Sequence, residues 1–404
     1  MGSGTELYLE WYFDGETVHN HVTLKIANGR IHVSQGKSAD SRSLPGMIAI
    51  PGLVNAHTHL EFSLLDQPIA PSGRFSDWIR SVVQYRRANP GTVRSAIQKG
   101  VAECLRGGAT RIGEIATVGW DVTDYCSTSF SGTVFQEFIG LGDQRISEQS
   151  RLCDSMSNFQ WPVRLPGESI VSGLSPHAPY SVHPDLFQFI VRTSEQSSRP
   201  VAIHLAETVA ELELLDSGTG EFREMLSDFG LWREGIFGGR KPMEFLQALT
   251  NCSQGWIIHG NYLDDSEIQF LAQNRNLTLV YCPRTHAAFG HSTHPWRRLL
   301  ELGGNVAIGT DSRASNPDLS LFAELQFLSG QYPDMSHLDL LKLACVRHSP
   351  PEEIRADLCL VEWGSPENVD PTTCLFAAEN SICGTMVQGR WCYLGERLTE
   401  LLDV

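Results

Sequence analysis

A chain of 404 residues exceeds one small domain and can bury a sizeable core. Hydrophobic residues make up 41% and charged residues 19%, a balance that excludes an intrinsically disordered protein. The formal net charge is -16 and no Lys/Arg run could track a phosphate backbone, so nucleic acid is not expected as a partner and a small molecule is.

The opening residues M-G-S-G-T-E-L-Y-L-E lack a basic region followed by a long apolar one. No stretch approaches the roughly 20 apolar residues of a membrane span. A cytoplasmic protein without a membrane partner is the expectation. Alternating patterns then follow in L-Y-L-E-W-Y-F and H-V-T-L-K-I-A-N-G-R-I-H-V, with Asn28-Gly29 as a hairpin-like turn. The last thirty or so residues have the same texture of short strands and glycine turns. The two ends predict a small accessory β-sandwich domain, formed by residues 1–50 and 360–404.

Between them, over residues 51–359, short β-rich apolar runs alternate with longer helical patterns, which is the signature of parallel βα units. Strands are expected at 48–57, 110–116, 132–139 and 170–177, then at 200–207, 255–262, 277–283 and 305–312. Helical patterns fill the gaps, among them D-W-I-R-S-V-V-Q-Y-R-R and T-V-R-S-A-I-Q-K-G-V-A-E-C-L-R, the latter stopped by Gly107-Gly108. The stretches 117–131 and 140–169 show no long helical pattern. Eight strands with crossover helices predict an α/β fold, a (β/α)8 TIM-type barrel.

In such a barrel chemistry gathers where the strands end. The first strand ends in His57 and His59, the fifth in His204 and Glu207, the sixth in His259 and the eighth in Asp311. Residues one apart on a strand point to the same face, so His57 and His59 can grip one ion together. Imidazole with carboxylate suits zinc or iron better than magnesium or calcium. One strand-end histidine alone would be an ordinary hydrogen-bonded rim residue; it is the convergence of the set that carries the expectation. His19 and His21 repeat the spacing without such company and are expected to face solvent. The ten cysteines form no C-x-x-C pair, and Cys282 is read as a core thiol ending a strand.

These residues resemble the amidohydrolase superfamily, within it the purine/pyrimidine deaminase and chlorohydrolase branch, over nearly the whole chain. P-G-L-V-N-A-H-T-H-L-E looks like the opening metal motif, S-P-H-A-P-Y-S like the fourth-strand motif and H-L-A-E-T like the fifth. I-I-H-G-N-Y-L and G-T-D-S-R-A-S-N complete the order, and R-A-D-L-C-L-V-E looks like the return to the accessory domain. The resemblance implies that His57, His59, His204 and Asp311 bind one divalent metal, zinc or iron, with His259 beside the attacking water. It also implies that Glu207 moves protons, against the alternative of a plain helix-start carboxylate. Binuclear members bridge their ions with a carboxylated lysine on a strand. The lysines here, Lys25, Lys37, Lys99, Lys241 and Lys342, are at no strand end, so a mononuclear centre is implied.

For substrate, the resemblance points to His177, otherwise a buttress of the rim loop, and to Trp78, otherwise packing for its helix. After the seventh strand the chain departs from the commoner family pattern, with Y-C-P-R-T-H-A-A-F-G-H-S-T-H-P-W. Arg284 and His286 there are candidates for a substrate carboxylate or sugar, or else anchors of the loop. This variant loop looks similar to that of aminodeoxyfutalosine deaminases, whose substrate joins an adenine nucleoside to a benzoate. The leading expectation is hydrolytic deamination of aminodeoxyfutalosine, S-adenosylhomocysteine, methylthioadenosine or adenosine. The alternatives are a chlorohydrolase or aminohydrolase of a triazine- or pyrimidine-like ring and, from another class, a metal-less structural barrel. Related enzymes are commonly dimers, so a homodimer is also an expectation.

Overall fold

Asn28 and Gly29 both adopt positive φ, 53° and 73°, the conformation of a two-residue hairpin turn. They join strands Val18–Ala27 and Arg30–Gln35 in an antiparallel pair. This hairpin belongs to the terminal sheet of the computed structural model, which describes residues 5–71, 73–117, 120–125, 130–161, 170–345, 355–363 and 371–403. Strand Leu358–Glu362 pairs antiparallel with Met47–Pro51, and strands Ser381–Val387 and Arg390–Leu394 extend the same eight-stranded sheet. The two termini thus fold together, around a core that includes Leu7, Leu24, Leu358 and Met386.

The second sheet is a run of eight parallel strands in chain order: Leu53–Thr58, Ala109–Ala116, Ser131–Phe138, Ile170–Pro176, Val201–Leu205, Gly255–His259, Leu277–Tyr281 and Asn305–Ile308. We refer to them as the first to eighth barrel strands. Their inward side chains, among them Ala56, Ile115, Phe135, Ala202, Ile258 and Val280, pack together as a filled barrel core. Leu, Ile and Phe side chains on the outer faces pack against the helices in a larger core.

The seam between the eighth and first strands closes just beyond the eighth. The carbonyl of His57 accepts the backbone N–H groups of Thr310 and Asp311 at 3.1 and 3.0 Å. The Asn55 side chain brackets Thr310, donating to its hydroxyl at 2.8 Å and accepting its N–H at 3.1 Å. Gly309 is required here, since a Cβ would meet the Cβ of His57 at 2.8 Å. This closure sets Asp311 beside His57.

One segment differs from expectation. A 15-residue helix, Asp143–Ser157, lies within the stretch that shows no long helical pattern. Its fully buried positions are Gln149, Cys153 and Met156, too sparse and too polar to print an amphipathic stripe. Between the fifth and sixth strands the chain makes a long excursion through helices Val209–Ser217, Glu221–Asp228 and Pro242–Leu249. The middle one is tied to helix Phe75–Ala88 and its cap by Arg74 to Glu221 and Arg80 to Asp228, at 2.9 and 2.7 Å. Among the described residues no helix is long and apolar enough to cross a membrane.

Candidate metal and catalytic centre

The first, fifth, sixth and eighth strands deliver His57, His59, His204, Glu207, His259 and Asp311 to one rim. Three of these ends turn through left-handed backbone at non-glycine residues: Ala206 with φ 51°, His259 with 65° and Asp311 with 56°. Such conformations are uncommon and cost of order 1–3 kcal/mol each. The surrounding hydrogen bonds hold them.

One ring nitrogen from each of His57, His59 and His204 lies within 4.8 Å of the others, and all three residues are buried. The Nε2 atoms of His59 and His204 face each other at 3.2 Å. Asp311 Oδ1 lies 3.5 Å from His57 Nε2 and 3.9 Å from His59 Nε2. Both ring nitrogens of His57 and Nδ1 of His59 are buried with no hydrogen-bond partner. Buried polar atoms are normally satisfied, and a cation taking one nitrogen from each ring would satisfy the Nε2 of His57, which faces Asp311.

Protonation states agree. Burial, then the neighbouring imidazoles, pushes His59 and His204 well below the usual histidine range, leaving both neutral. The ring of His204 meets the carbonyl of His177 through Nδ1 at 2.9 Å, an acceptor that places the proton there and leaves Nε2 as the donor to an ion. Burial alone would raise Asp311, but His57, His259 and a 2.6 Å bond from the Ser315 hydroxyl hold it below the ordinary carboxylate range. The donor set fits one divalent metal ion.

Beside these donors, Glu207 Oε1 lies 3.3 Å from His259 Nε2. Burial, followed by the charges of Asp311 and Glu211, pushes the Glu207 carboxyl well above its usual range. His259 is held neutral, mainly by burial. A carboxyl whose proton affinity is raised therefore faces a neutral imidazole.

The centre opens into a cavity of about 900 Å³, floored by His59, His204, Glu207, His259 and Asp311. Trp78 lines it, supported by the rings of Phe75 and Phe289 at 5.3 and 5.2 Å. His177 lines it too, bonded through Nδ1 to the Ser181 hydroxyl at 2.6 Å and held neutral chiefly by burial, with a pKa of about 3.

Arg284 and His286 are not among the residues that line this cavity. Helix Pro283–Ala288 directs Arg284 to Asp318 and Glu324, each met at 2.7 Å, so the residue anchors its loop. His286 packs against Tyr281 and His294. Cations that do line the cavity are Arg86, Arg87, Arg145 and Arg233. Arg86 is bound to the buried Glu61 at 2.5 Å, whereas among the described residues Arg233 donates to the carbonyls of Gly230 and Trp232. Sequence reasoning missed these four, although Arg86-Arg87 on a core-facing helix was a visible signal.

His19 meets Asp14 at 2.7 Å and His21 meets Tyr8 at 3.0 Å, both in the terminal sheet and apart from the rim. Cys282 is buried, and burial pushes its thiol well above the usual range.

The profile of the amidohydrolase family matches residues 48–347. The 5-methylthioadenosine/S-adenosylhomocysteine deaminase of Pyrococcus furiosus is 26% identical over 321 residues, 74% of this chain and 69% of that protein. The crystal structure of Helicobacter pylori aminofutalosine deaminase with methylthio-coformycin superposes with a TM-score of 0.81 at 20% identity, covering 96% of this chain and 99% of that one. The zinc complex of atrazine chlorohydrolase from Arthrobacter aurescens does so with 0.75 at 17% identity, covering 99% and 98%. At these identities the two structures establish the shared fold.

Proposed function

The chain belongs to the amidohydrolase family, and from that membership we propose that it is a zinc-dependent hydrolase releasing ammonia from an adenine-type nucleoside. The observation that carries this is the Glu207–His259 pair, 3.3 Å apart and adjoining the His57, His59 and His204 donor set. The deaminase names of the curated relatives support the reaction type. The His-rich donor set suits zinc or iron, and the zinc-bound chlorohydrolase supports zinc. No lysine lines the cavity, which favours a mononuclear centre.

His57, His59, His204 and Asp311 would hold the ion. A bound divalent metal lowers the pKa of water toward about 7 and so supplies a nucleophile at neutral pH. Asp311, kept ionised by His57 and His259, accepts a proton from the attacking water. His259 orients that water and stabilises the negative charge of the addition step. Glu207, whose proton affinity burial raises, donates to the ring nitrogen beside the amine-bearing carbon, takes up the hydroxyl proton of the addition product and passes it to the amine as the C–N bond breaks; the proton held by Asp311 then restores Glu207. Trp78 supplies an aromatic face for the heterocycle, and His177 a neutral hydrogen-bonding edge.

The cavity lies toward the upper end of the size usual for small-molecule sites. Its lining carries the exposed Arg87, Arg145 and Arg233, with Arg145 paired to Glu148 at 3.2 Å and Asp143 nearby in sequence, and the excess of cations supports a nucleoside whose far substituent bears a carboxylate. Aminodeoxyfutalosine and S-adenosylhomocysteine have that character; methylthioadenosine and adenosine follow. Ammonia release by the zinc-loaded protein is measured across these four and a chlorinated triazine. Turnover of at least one aminopurine nucleoside is expected, and turnover of the triazine alone would replace this reading with the chlorohydrolase one.

A further inference from the structure

Glu211 is fully buried and does not line the cavity. It is the third residue of helix Val209–Ser217, whose N-cap Thr208 accepts the Glu211 N–H at 3.1 Å. In the usual capping box the acidic residue at this position reaches back to the N–H of the cap itself. Here it reaches past the cap, and both oxygens are used. Oε1 accepts the N–H of Ala206 at 3.0 Å and Oε2 the N–H of Glu207 at 2.9 Å. The other end of residue 207 is held too, since the Asn261 amide donates to the Glu207 carbonyl at 2.9 Å.

Asn261 stands two residues beyond His259, so this last bond ties the end of the sixth strand to that of the fifth. The N–H of Tyr262 adds a 3.0 Å bond to the carbonyl of Ala206. The backbone being gripped is one that an alanine rarely adopts, with φ 51° at Ala206. A carboxylate suits the task because two converging N–H donors need two acceptors. An amide of the same shape offers one oxygen and sets an NH2 group against the second N–H.

We propose that Glu211 and Asn261 are positioning residues that clamp the Glu207 backbone from both sides and keep its carboxyl aimed at His259 and the reacting ring. The proposal rests on the deaminase reading, in which Glu207 delivers the protons. Misplacing a reacting group by about 1 Å can cost on the order of 100-fold in rate. Residues that act through one another are also non-additive when removed together.

The test is a double-mutant cycle on the zinc-loaded full chain, reading kcat, KM and zinc per chain with an aminopurine nucleoside that the wild type deaminates. Glu211→Gln is expected to lower kcat about 100-fold with KM within about 3-fold. In the Glu207→Gln background the same change is expected to lower kcat less than about 3-fold. Equal losses in both backgrounds would overturn the clamp, because a general structural support acts whether or not Glu207 is present. Wild-type kcat in Glu211→Gln would overturn it as well. Should that variant not fold, Asn261→Ala goes through the same cycle with the same criteria. A wild type inactive on every aminopurine nucleoside overturns the deaminase reading and the clamp with it; an active wild type with equal losses overturns the clamp alone.

Discussion

The Arg284 guanidinium meets Glu324 Oε1 through Nε at 2.7 Å, while the backbone N–H of Arg284 donates to the other oxygen of that carboxylate at 2.9 Å. Glu324 is fully buried, and Asp318 takes the rest of the guanidinium. Removing one partner of a buried pair strands the other charge, at a cost of roughly 3–5 kcal/mol. Arg284→Met is therefore expected to lower unfolding free energy by about 3 kcal/mol in a urea titration. The KM of the folded fraction should change less than about twofold, since Arg284 does not line the cavity. A tenfold rise in KM at unchanged stability would return Arg284 to the substrate.

Arg145 and Arg233 stand exposed in the cavity lining. Solvent screens such groups, so each is expected to contribute modestly, by about 1 kcal/mol. Arg145→Ala and Arg233→Ala should each lower kcat/KM for a nucleoside with a carboxylate substituent about fivefold, and for adenosine hardly at all. The selectivity should also weaken as salt is raised. Equal effects on both substrates would mean that the acidic end does not reach these residues.

Glu207→Gln keeps the shape of the side chain but cannot cycle a proton. Zinc content should stay near that of the wild type, because the proposed donors are His57, His59, His204 and Asp311 and not Glu207. The loss in kcat should be about 1,000-fold, within the range of general acid–base catalysis. Near-normal turnover would remove Glu207 from proton transfer.

The parallel strands were legible because each is a short apolar run stopped by Gly, Pro or a polar rim residue. The convergence of His57, His59 and His204 followed from the rule that chemistry collects where barrel strands end. Arg284 was ambiguous for a physical reason: its acidic partners, Asp318 and Glu324, lie 34 and 40 residues away, and nothing local reports them. Arg145 and Arg233 were not legible, since they sit in excursions whose placement depends on contacts between distant helices. The Glu211 clamp hid behind an ordinary pattern, T-V-A-E, that reads as a helix start and nothing more.

His294 offers a test of the departing loop by pH. Its Nε2–H reaches the carbonyl of His259 at 2.7 Å, and its Nδ1 accepts the N–H of Trp296 at 3.0 Å. Both ring nitrogens are thus committed in the neutral form, and a second ring proton would point at the Trp296 donor. Burial, partly offset by the His259 carbonyl, lowers the pKa to about 3 from 6.5. Between these values the unfolded chain holds a proton that the folded protein does not, so stability falls as pH drops from 6.5 toward 3. One such group adds up to about 1.4 kcal/mol per pH unit to the slope. In urea unfolding at pH 7, 6 and 5, His294→Gln should lose stability less steeply than the wild type. Contributions from His177, His291 and the metal donors are common to both proteins and cancel in the difference. Parallel slopes would mean that His294 accepts its proton in the folded state and that the Trp296 N–H at Nδ1 does not hold the ring neutral.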